Sequence, residues 1–133
     1  MHKALNEGGM VCAQGECFWT HQDLIVNVVA CCADVFDTVE YASTLVPTYP
    51  CGQIGFILAG KGENIDLRKP CREIDDELQN QLRWYNESVH SASFVLPQFL
   101  ENRLETLRPQ QPLFNEEDDD DLEDCFIGRC SIS

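Results

Sequence analysis

Three polar side chains near predicted strand ends have the chemistry to bind a ligand. Gln14 closes an apolar run and so lies at the carboxyl end of a predicted strand, where open α/β sheets place their ligands. Glu16 is a carboxylate in front of a predicted helix and has the chemistry of a general base. Tyr49 stands between Pro47 and Pro50 in the sequence TYPCGQIGF. Because proline fixes its own φ angle, this pair of prolines stiffens the chain around one phenol.

Each of these side chains also has an ordinary structural interpretation. Taken without any family resemblance, Tyr49 is better explained as a packed loop aromatic, because two prolines stiffen a turn without any ligand. Gln14 is equally suited to be an amide that satisfies backbone groups of its own loop. A carboxylate just before a helix is more often a capping or solvated group than a base, so Glu16 is not selected as a catalytic residue. His90 is interpreted as a buried hydrogen-bonding residue, and the two tryptophans as core or staple residues, Trp19 and Trp84.

The composition restricts the class of protein. The formal net charge of −14 over 133 residues argues against nucleic-acid binding, because phosphates are normally met by lysine and arginine clusters. The eight cysteines lack Cys-x-x-Cys spacing and the three histidines are scattered, so we expect reduced thiols and neither a metal nor a resident cofactor. No apolar run approaches the ~20 residues that span a bilayer. Together with the lack of a signal-peptide pattern, this predicts a soluble, cytoplasmic protein without a membrane partner.

The hydrophobic pattern predicts an α/β domain over residues 1–108. Residues 1–7 resemble the last turns of a helix, and the continuously apolar segment 10–14 predicts a strand covered on both faces. A helix is predicted over 20–36, with Thr20 as N-cap and with Trp19 and Leu24 as a hydrophobic staple. Segments 39–46 and 53–60 predict two strands that are antiparallel neighbours, because their connection is short. The predicted inward face of the helix comprises Leu24, Ile25, Val28, Val29, Cys32, Val35 and Phe36.

The C-terminal third predicts further helices and then a change of composition. Apolar stripes indicate one helix through Leu78, Leu82 and Tyr85, and a last helix that starts at Pro97 and presents Leu100, Leu104 and Leu107. After residue 115 there are eight acidic residues and one arginine. We therefore expect residues 109–133 to form a disordered acidic tail.

The predicted strand 10–14 presents a physical problem. It is apolar on both faces, yet no earlier segment of the sequence is available to pair with its outer edge. A bare apolar edge strand promotes aggregation, and natural domains avoid it. This leads to the expectation that the chain is the C-terminal half of a larger α/β domain.

Three motifs in this order closely resemble the C-terminal part of the spermidine synthases: MVCAQGECFW, VPTYPCGQIGF and WYNESVHSASFVLPQF. The resemblance covers about residues 1–107. It implies the C-terminal part of a Rossmann-like methyltransferase fold, with a strand, a helix, an antiparallel strand pair and C-terminal helices. The activity that it implies is transfer of an aminopropyl group from decarboxylated S-adenosylmethionine to putrescine. It also implies a homodimer for the full-length enzyme.

The resemblance assigns roles to three residues of this chain. Gln14 matches a glutamine that hydrogen-bonds the substrate amine, Tyr49 matches a tyrosine whose hydroxyl contacts the diamine, and Ile54 matches a residue that lines the apolar middle of the channel. The aspartate base and the nucleotide-binding glycine motif of the family have no counterpart in this sequence. No catalytic residue is therefore assigned, and the chain by itself is expected to be inactive.

Two alternatives remain open at the level of the sequence. Diamine N-methyltransferases, which use ordinary S-adenosylmethionine, share these C-terminal motifs. A non-catalytic protein is the other alternative, either a truncated isoform that binds an intact subunit or an interaction module with an acidic tail. Its basis is the absence of the base and of the nucleotide motif from this sequence.

Overall fold

The computed structural model describes residues 1–63 and 65–107. A single 3-10 turn at His2–Ala4 stands where the sequence indicated the end of a helix. The predicted acidic tail, 109–133, lies outside the described residues. The elements that follow are β1 (Met10–Gln14), α1 (Gln22–Ala33), β2 (Thr38–Leu45), β3 (Gln53–Gly60), α2 (Asp76–Gln81), α3 (Glu87–Ala92) and α4 (Gln98–Glu105).

The three strands form one antiparallel sheet in the order β1-β3-β2. The predicted antiparallel pairing of β2 with β3 is confirmed, with Leu45 opposite Gln53. The pairing of β1 with β3 was not predicted, and it places Gln14 opposite Phe56. The apolar sequence of β3 fits this central position, because the main core packs on one of its faces and a second, smaller cluster packs on the other.

The main core lies between one face of this sheet and the helices α1 and α4. Leu100 and Leu104 of α4 are buried and Leu107 packs against the same cluster, which confirms the predicted last helix. Burying each leucine contributes roughly 1.5–3 kcal/mol. The buried residues of this cluster are Phe18, Ile25, Val29, Phe36, Val39, Tyr41, Ile57, Ala59, Leu100 and Leu104.

The opposite face of the sheet is covered only over β2 and β3. A small cluster of Ala42, Leu67 and Phe94 packs there, with Leu58 and Ile65 at its edge. Four of the five residues of β1 are exposed, so the prediction that β1 is covered on both faces is wrong for the described chain. The reason is its place at the edge of the sheet, where it pairs with β3 alone among the described strands.

The predicted start of α1 is also wrong in detail. The helix begins at Gln22 after His21, and no side chain caps it. The Thr20 hydroxyl instead lies 2.8 Å from Nδ1 of His21, so it is engaged before the helix begins. With His21 as the N-cap, Trp19 and Leu24 lie at N″ and N3 and no longer occupy the two positions of a hydrophobic staple.

The inward face of α1 is narrower than the sequence predicted. Ile25 and Val29 are buried, as expected, and so is Phe36, although the helix has already ended at Ala33. The structure exposes Leu24 and Val28 on the outer part of the same apolar arc, and Val35 beyond the end of the helix. The sheet and α4 cover only part of the helix circumference, so an arc of seven apolar residues exceeds the surface available to bury it.

The helix predicted through Leu78, Leu82 and Tyr85 is shorter than expected. It ends at Gln81, and Leu82 already has an extended backbone, so Tyr85 does not continue the stripe. Trp84 is 58% exposed, and its assignment to the core is wrong. Asn86 then caps α3, which was not predicted, by accepting a hydrogen bond from the backbone N–H of Val89 at 2.8 Å.

Among the helices in residues 1–63 and 65–107, none combines the length and the apolar character needed to cross a membrane.

Candidate functional site

The structure brings Gln14 and Tyr49 into direct contact, although they are 35 residues apart in the sequence. Nε2 of Gln14 donates a hydrogen bond to the Tyr49 hydroxyl oxygen at 3.1 Å. The same hydroxyl donates to Oε2 of Glu16 at 2.6 Å. The result is a chain of hydrogen bonds from amide to phenol to carboxylate, which we call the Tyr49 cluster (Gln14, Glu16 and Tyr49).

Gln14 reaches this position because of the register of β1. It is the last residue of the strand and faces Phe56 of β3. The backbone pairing continues one residue further, since the N–H of Gly15 donates to the Gly55 carbonyl at 2.7 Å. The end of β1 is thereby fixed against the central strand, and Gln14 projects from an anchored backbone.

Tyr49 is held by a loop with three internal backbone hydrogen bonds. The Tyr49 N–H donates to the Val46 carbonyl at 2.9 Å, which closes a turn around Pro47. The N–H of Gly52 donates to the Tyr49 carbonyl at 2.8 Å, and the Val46 N–H donates to the Gly52 carbonyl at 3.0 Å. Gly52 has φ +67°, a conformation that glycine adopts without steric cost. The predicted rigidity of this loop thus has a definite origin in two turns and a closing bond.

The hydrogen bond with Glu16 changes the acidity of Tyr49. The phenol donates to a carboxylate, so the interaction favours the protonated phenol and raises the pKa of Tyr49. Partial burial acts in the same direction, whereas the hydrogen bond from Gln14 favours the phenolate and lowers the pKa. With the pKa raised, Tyr49 stays a hydrogen-bond donor at neutral pH.

The cluster combines one acidic side chain with two neutral dipoles at an accessible position. Gln14 is exposed, and Glu16 and Tyr49 are partly buried. A carboxylate and a phenol oxygen are acceptors, and an alkylammonium group carries three N–H donors. The arrangement therefore suits a cationic amine better than an anion.

Ile54 lies on the same side of the sheet as Gln14. Ile54 is two residues from Phe56 along β3, so the alternation of side chains in a strand places both on one face of the sheet. Phe56 pairs directly with Gln14 of β1, so Gln14 lies on that face as well. Ile54 is partly buried and pairs with Thr44 of β2. An apolar side chain here can contact the hydrocarbon part of a ligand, and its assignment to the channel stays a prediction.

Other side chains near the cluster have structural roles that the sequence did not reveal. The thiol of buried Cys17 donates a weak hydrogen bond to Oε1 of Gln53 at 3.9 Å. Cys17 is one of six cysteines that are unpaired in the described ranges. No group of three or more His, Cys, Asp or Glu able to hold a metal ion occurs in that part of the chain.

His90 lies away from the Tyr49 cluster. One ring nitrogen, Nε2, is 3.1 Å from the Leu67 carbonyl, and Nδ1 is 3.1 Å from the Tyr85 hydroxyl. Because a carbonyl only accepts, Nε2 carries the proton and Tyr85 donates to Nδ1. The predicted hydrogen bonding of His90 is confirmed, and both of its ring nitrogens have protein partners, but the residue is partly buried and not buried as predicted.

Comparison with known proteins shows which family the chain resembles. A family model described as "Spermine/spermidine synthase domain" matches residues 1–69. Spermidine synthase from Schizosaccharomyces pombe is 48% identical over 97 residues, which are 72% of this chain and 33% of that protein. Putrescine N-methyltransferase 2 from Nicotiana tabacum is 41% identical over 112 residues, covering 78% and 32% of the two chains.

A solved structure shows the same fold. The crystal structure of spermidine synthase from Thermotoga maritima superposes with a TM-score of 0.58 at 29% identity, covering 77% of this chain and 36% of that one. The chain spans about a third of the length of the curated relatives that it matches. From the family match and this common fold, we conclude that the chain belongs to the spermine/spermidine synthase family.

Proposed function

We propose that the Tyr49 cluster binds an amine of putrescine in a spermidine synthase-type reaction. The observation that carries the proposal is the continuous hydrogen-bonded chain from Gln14 through Tyr49 to Glu16, at the end of a strand. Its carboxylate offsets the positive charge of an ammonium group, and the phenol and amide restrict the direction of approach. The reaction transfers an aminopropyl group from decarboxylated S-adenosylmethionine to the amine.

The chemistry requires a neutral amine at the moment of attack. An alkylamine resembles lysine, with a pKa of about 10.4, so deprotonation at neutral pH costs roughly 4–5 kcal/mol. A carboxylate near the amine reduces this cost by accepting the proton, and alignment of amine, carbon and sulfur supplies the proximity effect. We assign to the Tyr49 cluster the binding and orientation of the diamine, and no residue of this chain is assigned as the base.

The proposal makes the chain one wall of a diamine site. The glycine motif and the aspartate that the resemblance assigns to the cosubstrate and the base are absent from this sequence. We therefore propose that the chain by itself does not turn over substrate. For the full-length enzyme we propose a homodimer in the cytoplasm, and the unpaired cysteines of the described ranges are consistent with a reducing compartment.

A direct test is putrescine binding to the intact chain, followed through the NMR signals of Tyr49. We expect putrescine to shift these signals in a saturable manner, and we expect 1-butanol, which has no ammonium group, to leave them unchanged. Equal shifts with both compounds would show that the charge of the amine is not recognised, and would contradict the proposal.

Turnover is tested separately, by incubating the chain with putrescine and decarboxylated S-adenosylmethionine and measuring spermidine. We expect none. Formation of spermidine above the uncatalysed background would contradict the proposed inactivity while supporting the family activity.

Diamine N-methylation is the second candidate, favoured by the 41% identity to a putrescine N-methyltransferase. Both reactions use a diamine, so the Tyr49 cluster is compatible with either. They differ in the group that is transferred, and the residues that the resemblance assigns to the cosubstrate are absent from this sequence. We propose to replace the matching region of the Schizosaccharomyces pombe spermidine synthase and of the Nicotiana tabacum putrescine N-methyltransferase 2 with this chain, and to compare the activity that each chimera keeps relative to its parent. Better-kept spermidine formation supports the first candidate, and better-kept N-methylputrescine formation supports the second.

A further inference from the structure

The backbone of Glu16 is unusual. Glu16 has φ +60°, and it is the one residue other than glycine with a positive φ in residues 1–63 and 65–107. In this left-handed conformation, Cβ lies too close to the following carbonyl oxygen. Asparagine and aspartate tolerate the conformation because their short polar side chains can hydrogen-bond locally, but the side chain of glutamate is longer. The surrounding structure must therefore hold Glu16 in place.

Tyr41 supplies a contact that does so. It lies on β2, is 1% exposed and belongs to the main core cluster. Its hydroxyl donates a hydrogen bond to the backbone carbonyl of Glu16 at 2.8 Å. Burial raises the pKa of the Tyr41 phenol, so the hydroxyl remains protonated and keeps donating. A side chain fixed by the core thus reaches the backbone of a site residue.

Gly55 leaves the space through which Tyr41 reaches Glu16. A Cβ at Gly55 would overlap the Tyr41 hydroxyl and the Glu16 carbonyl oxygen, so no other residue fits there without displacing one of them. The neighbouring Gly15 also lies tightly against β3, because a Cβ there would come within 3.0 Å of Ile57. The segment that carries Glu16 consequently packs closely against β3, and the missing side chains of Gly15 and Gly55 allow this close packing.

The same residue that is held by its backbone binds Tyr49 by its side chain. The Glu16 carbonyl accepts from Tyr41, and the Glu16 carboxylate accepts from Tyr49 at 2.6 Å. If the backbone of Glu16 changed to an ordinary φ, the direction of its side chain would change with it. The position of the carboxylate in the Tyr49 cluster therefore depends on a buried hydroxyl of the core.

We propose that Tyr41 is a positioning residue, whose hydroxyl holds Glu16 in its left-handed conformation and so directs the Glu16 carboxylate to Tyr49. Gly55 is the second part of the device, because it leaves room for this hydroxyl. The structural part of the proposal stands on the contacts alone. Its consequence for putrescine rests on the proposed function.

The test is Tyr41→Phe, which removes the hydroxyl and keeps the ring. The chain contains three tyrosines, so their phenol carbons, labelled with ¹³C at Cζ, give three NMR signals that single Tyr→Phe variants assign. We expect the apparent pKa of Tyr49 to fall toward its ordinary value in Tyr41→Phe, because Glu16 no longer meets the phenol. The matched control is Tyr85→Phe, which also removes one tyrosine hydroxyl but leaves Glu16 untouched, and it is expected to leave the titration of Tyr49 unchanged.

A Tyr49 titration that is identical in wild type and in a folded Tyr41→Phe would overturn the proposal, since Glu16 would then hold its position without the hydroxyl. Putrescine binding is measured on the same samples, with several-fold weaker binding expected for Tyr41→Phe. A shifted titration with unchanged putrescine affinity supports the positioning role and counts against the proposed function, so the failures of the two are distinguishable.

A second variant covers the case in which Tyr41→Phe does not fold. Glu16→Gly removes the steric cost of the left-handed conformation, so residue 16 no longer needs to be held, and Tyr41→Phe should lower the melting temperature less in the Glu16→Gly background than in wild type. If Tyr41→Phe causes an equal loss in the two backgrounds, Tyr41 does not act by holding the Glu16 backbone, and the proposal fails.

Discussion

Two hydrogen-bonded groups in this molecule pair a tyrosine with a titratable side chain, and they differ in whether their outermost polar atoms already have protein partners. In the group around His90, the ring lies between the Tyr85 hydroxyl and the Leu67 carbonyl, so both ring nitrogens have protein partners. In the Tyr49 cluster, the chain of bonds begins at Gln14, which is exposed, and ends at a carboxylate. The first group is internally complete, and the second has acceptors available for a ligand.

The difference teaches how to separate a structural network from a binding site. Both contain a tyrosine and a group that can carry charge, so residue type alone does not distinguish them. What distinguishes them is whether the polar atoms at the ends of the network are accessible. His90 hydrogen-bonds protein groups on both sides and connects α3 to the segment at Leu67. Gln14 and Glu16 lie at the end of β1, where Gln14 is exposed and Glu16 is partly buried. The two groups should consequently respond differently to mutation, the first in stability and the second in ligand affinity.

The largest effect is expected from Glu16→Gln, which removes the charge and keeps the size of the side chain. Hydrogen bonds to charged groups contribute about 1.5–3 kcal/mol, so putrescine should bind about tenfold to a hundredfold more weakly. The measurement is a calorimetric titration. An affinity within twofold of wild type would mean that the Tyr49 cluster does not recognise the ammonium group.

Strongly alkaline solution should destabilise the fold through the buried tyrosine, Tyr41. Burial raises the pKa of Tyr41 above its ordinary value of about 10. The unfolded chain therefore loses this proton near pH 10 while the folded chain keeps it, and the stability due to Tyr41 is fully present below pH 10. Above it, the free energy of unfolding should fall by about 1.4 kcal/mol per pH unit.

The check is urea unfolding between pH 9 and pH 11 of wild type and Tyr41→Phe. The contribution of Tyr41 to the slope should disappear in the variant. If the two proteins lose stability in parallel above pH 10, the Tyr41 phenol ionises in the folded protein as easily as in the unfolded chain.

Tyr49→Phe should weaken putrescine binding about fivefold to thirtyfold, the range for one lost hydrogen bond of ordinary strength. The effect is smaller than for Glu16→Gln because the carboxylate remains. In an active full-length form, the same variant should raise KM more than it lowers kcat. Unchanged affinity and kinetics would make Tyr49 a packing residue of its loop.

The smallest effect on the ligand is expected in the other group. Tyr85→Phe removes the donor to Nδ1 of His90 and should lower the free energy of unfolding by about 1 kcal/mol, measured by thermal or urea denaturation. Putrescine affinity should stay within error of wild type. A clear loss of affinity in Tyr85→Phe would show that the group around His90 and the Tyr49 cluster are coupled, and would contradict their independence.

Strong, local patterns made much of the fold predictable. The apolar segment 53–60 is the central strand, and Pro97 with the leucines that follow it gives α4. The wrong predictions concern the burial of side chains, which depends on elements that are distant in the sequence. Trp19 and Trp84 were assigned to the core or to a staple and are exposed. A large apolar residue in a sequence does not reveal whether another element of the fold covers its side chain.

The site was predictable in part for the same reason. Gln14 and Tyr49 could be selected because a strand end and a proline-framed loop are visible in the sequence, and the structure brings the two together. The place of Glu16 in the cluster was missed, since it depends on a left-handed backbone that a hydroxyl from another strand supports. The signal available was a short Gln-Gly-Glu sequence at the strand end, which by itself does not specify a backbone conformation.

The closed loop that carries Tyr49 has a consequence for the thermodynamics of binding. Its three hydrogen bonds join backbone groups of the loop itself, so the chain loses the conformational entropy of this loop when it folds. A ligand that contacts Tyr49 then meets a phenol that is already oriented, and its association is not accompanied by the ordering of a flexible segment. Loosening the loop, for instance with Pro47→Gly, should therefore weaken binding through the entropy term and leave the contacts of Tyr49 in the bound state unchanged.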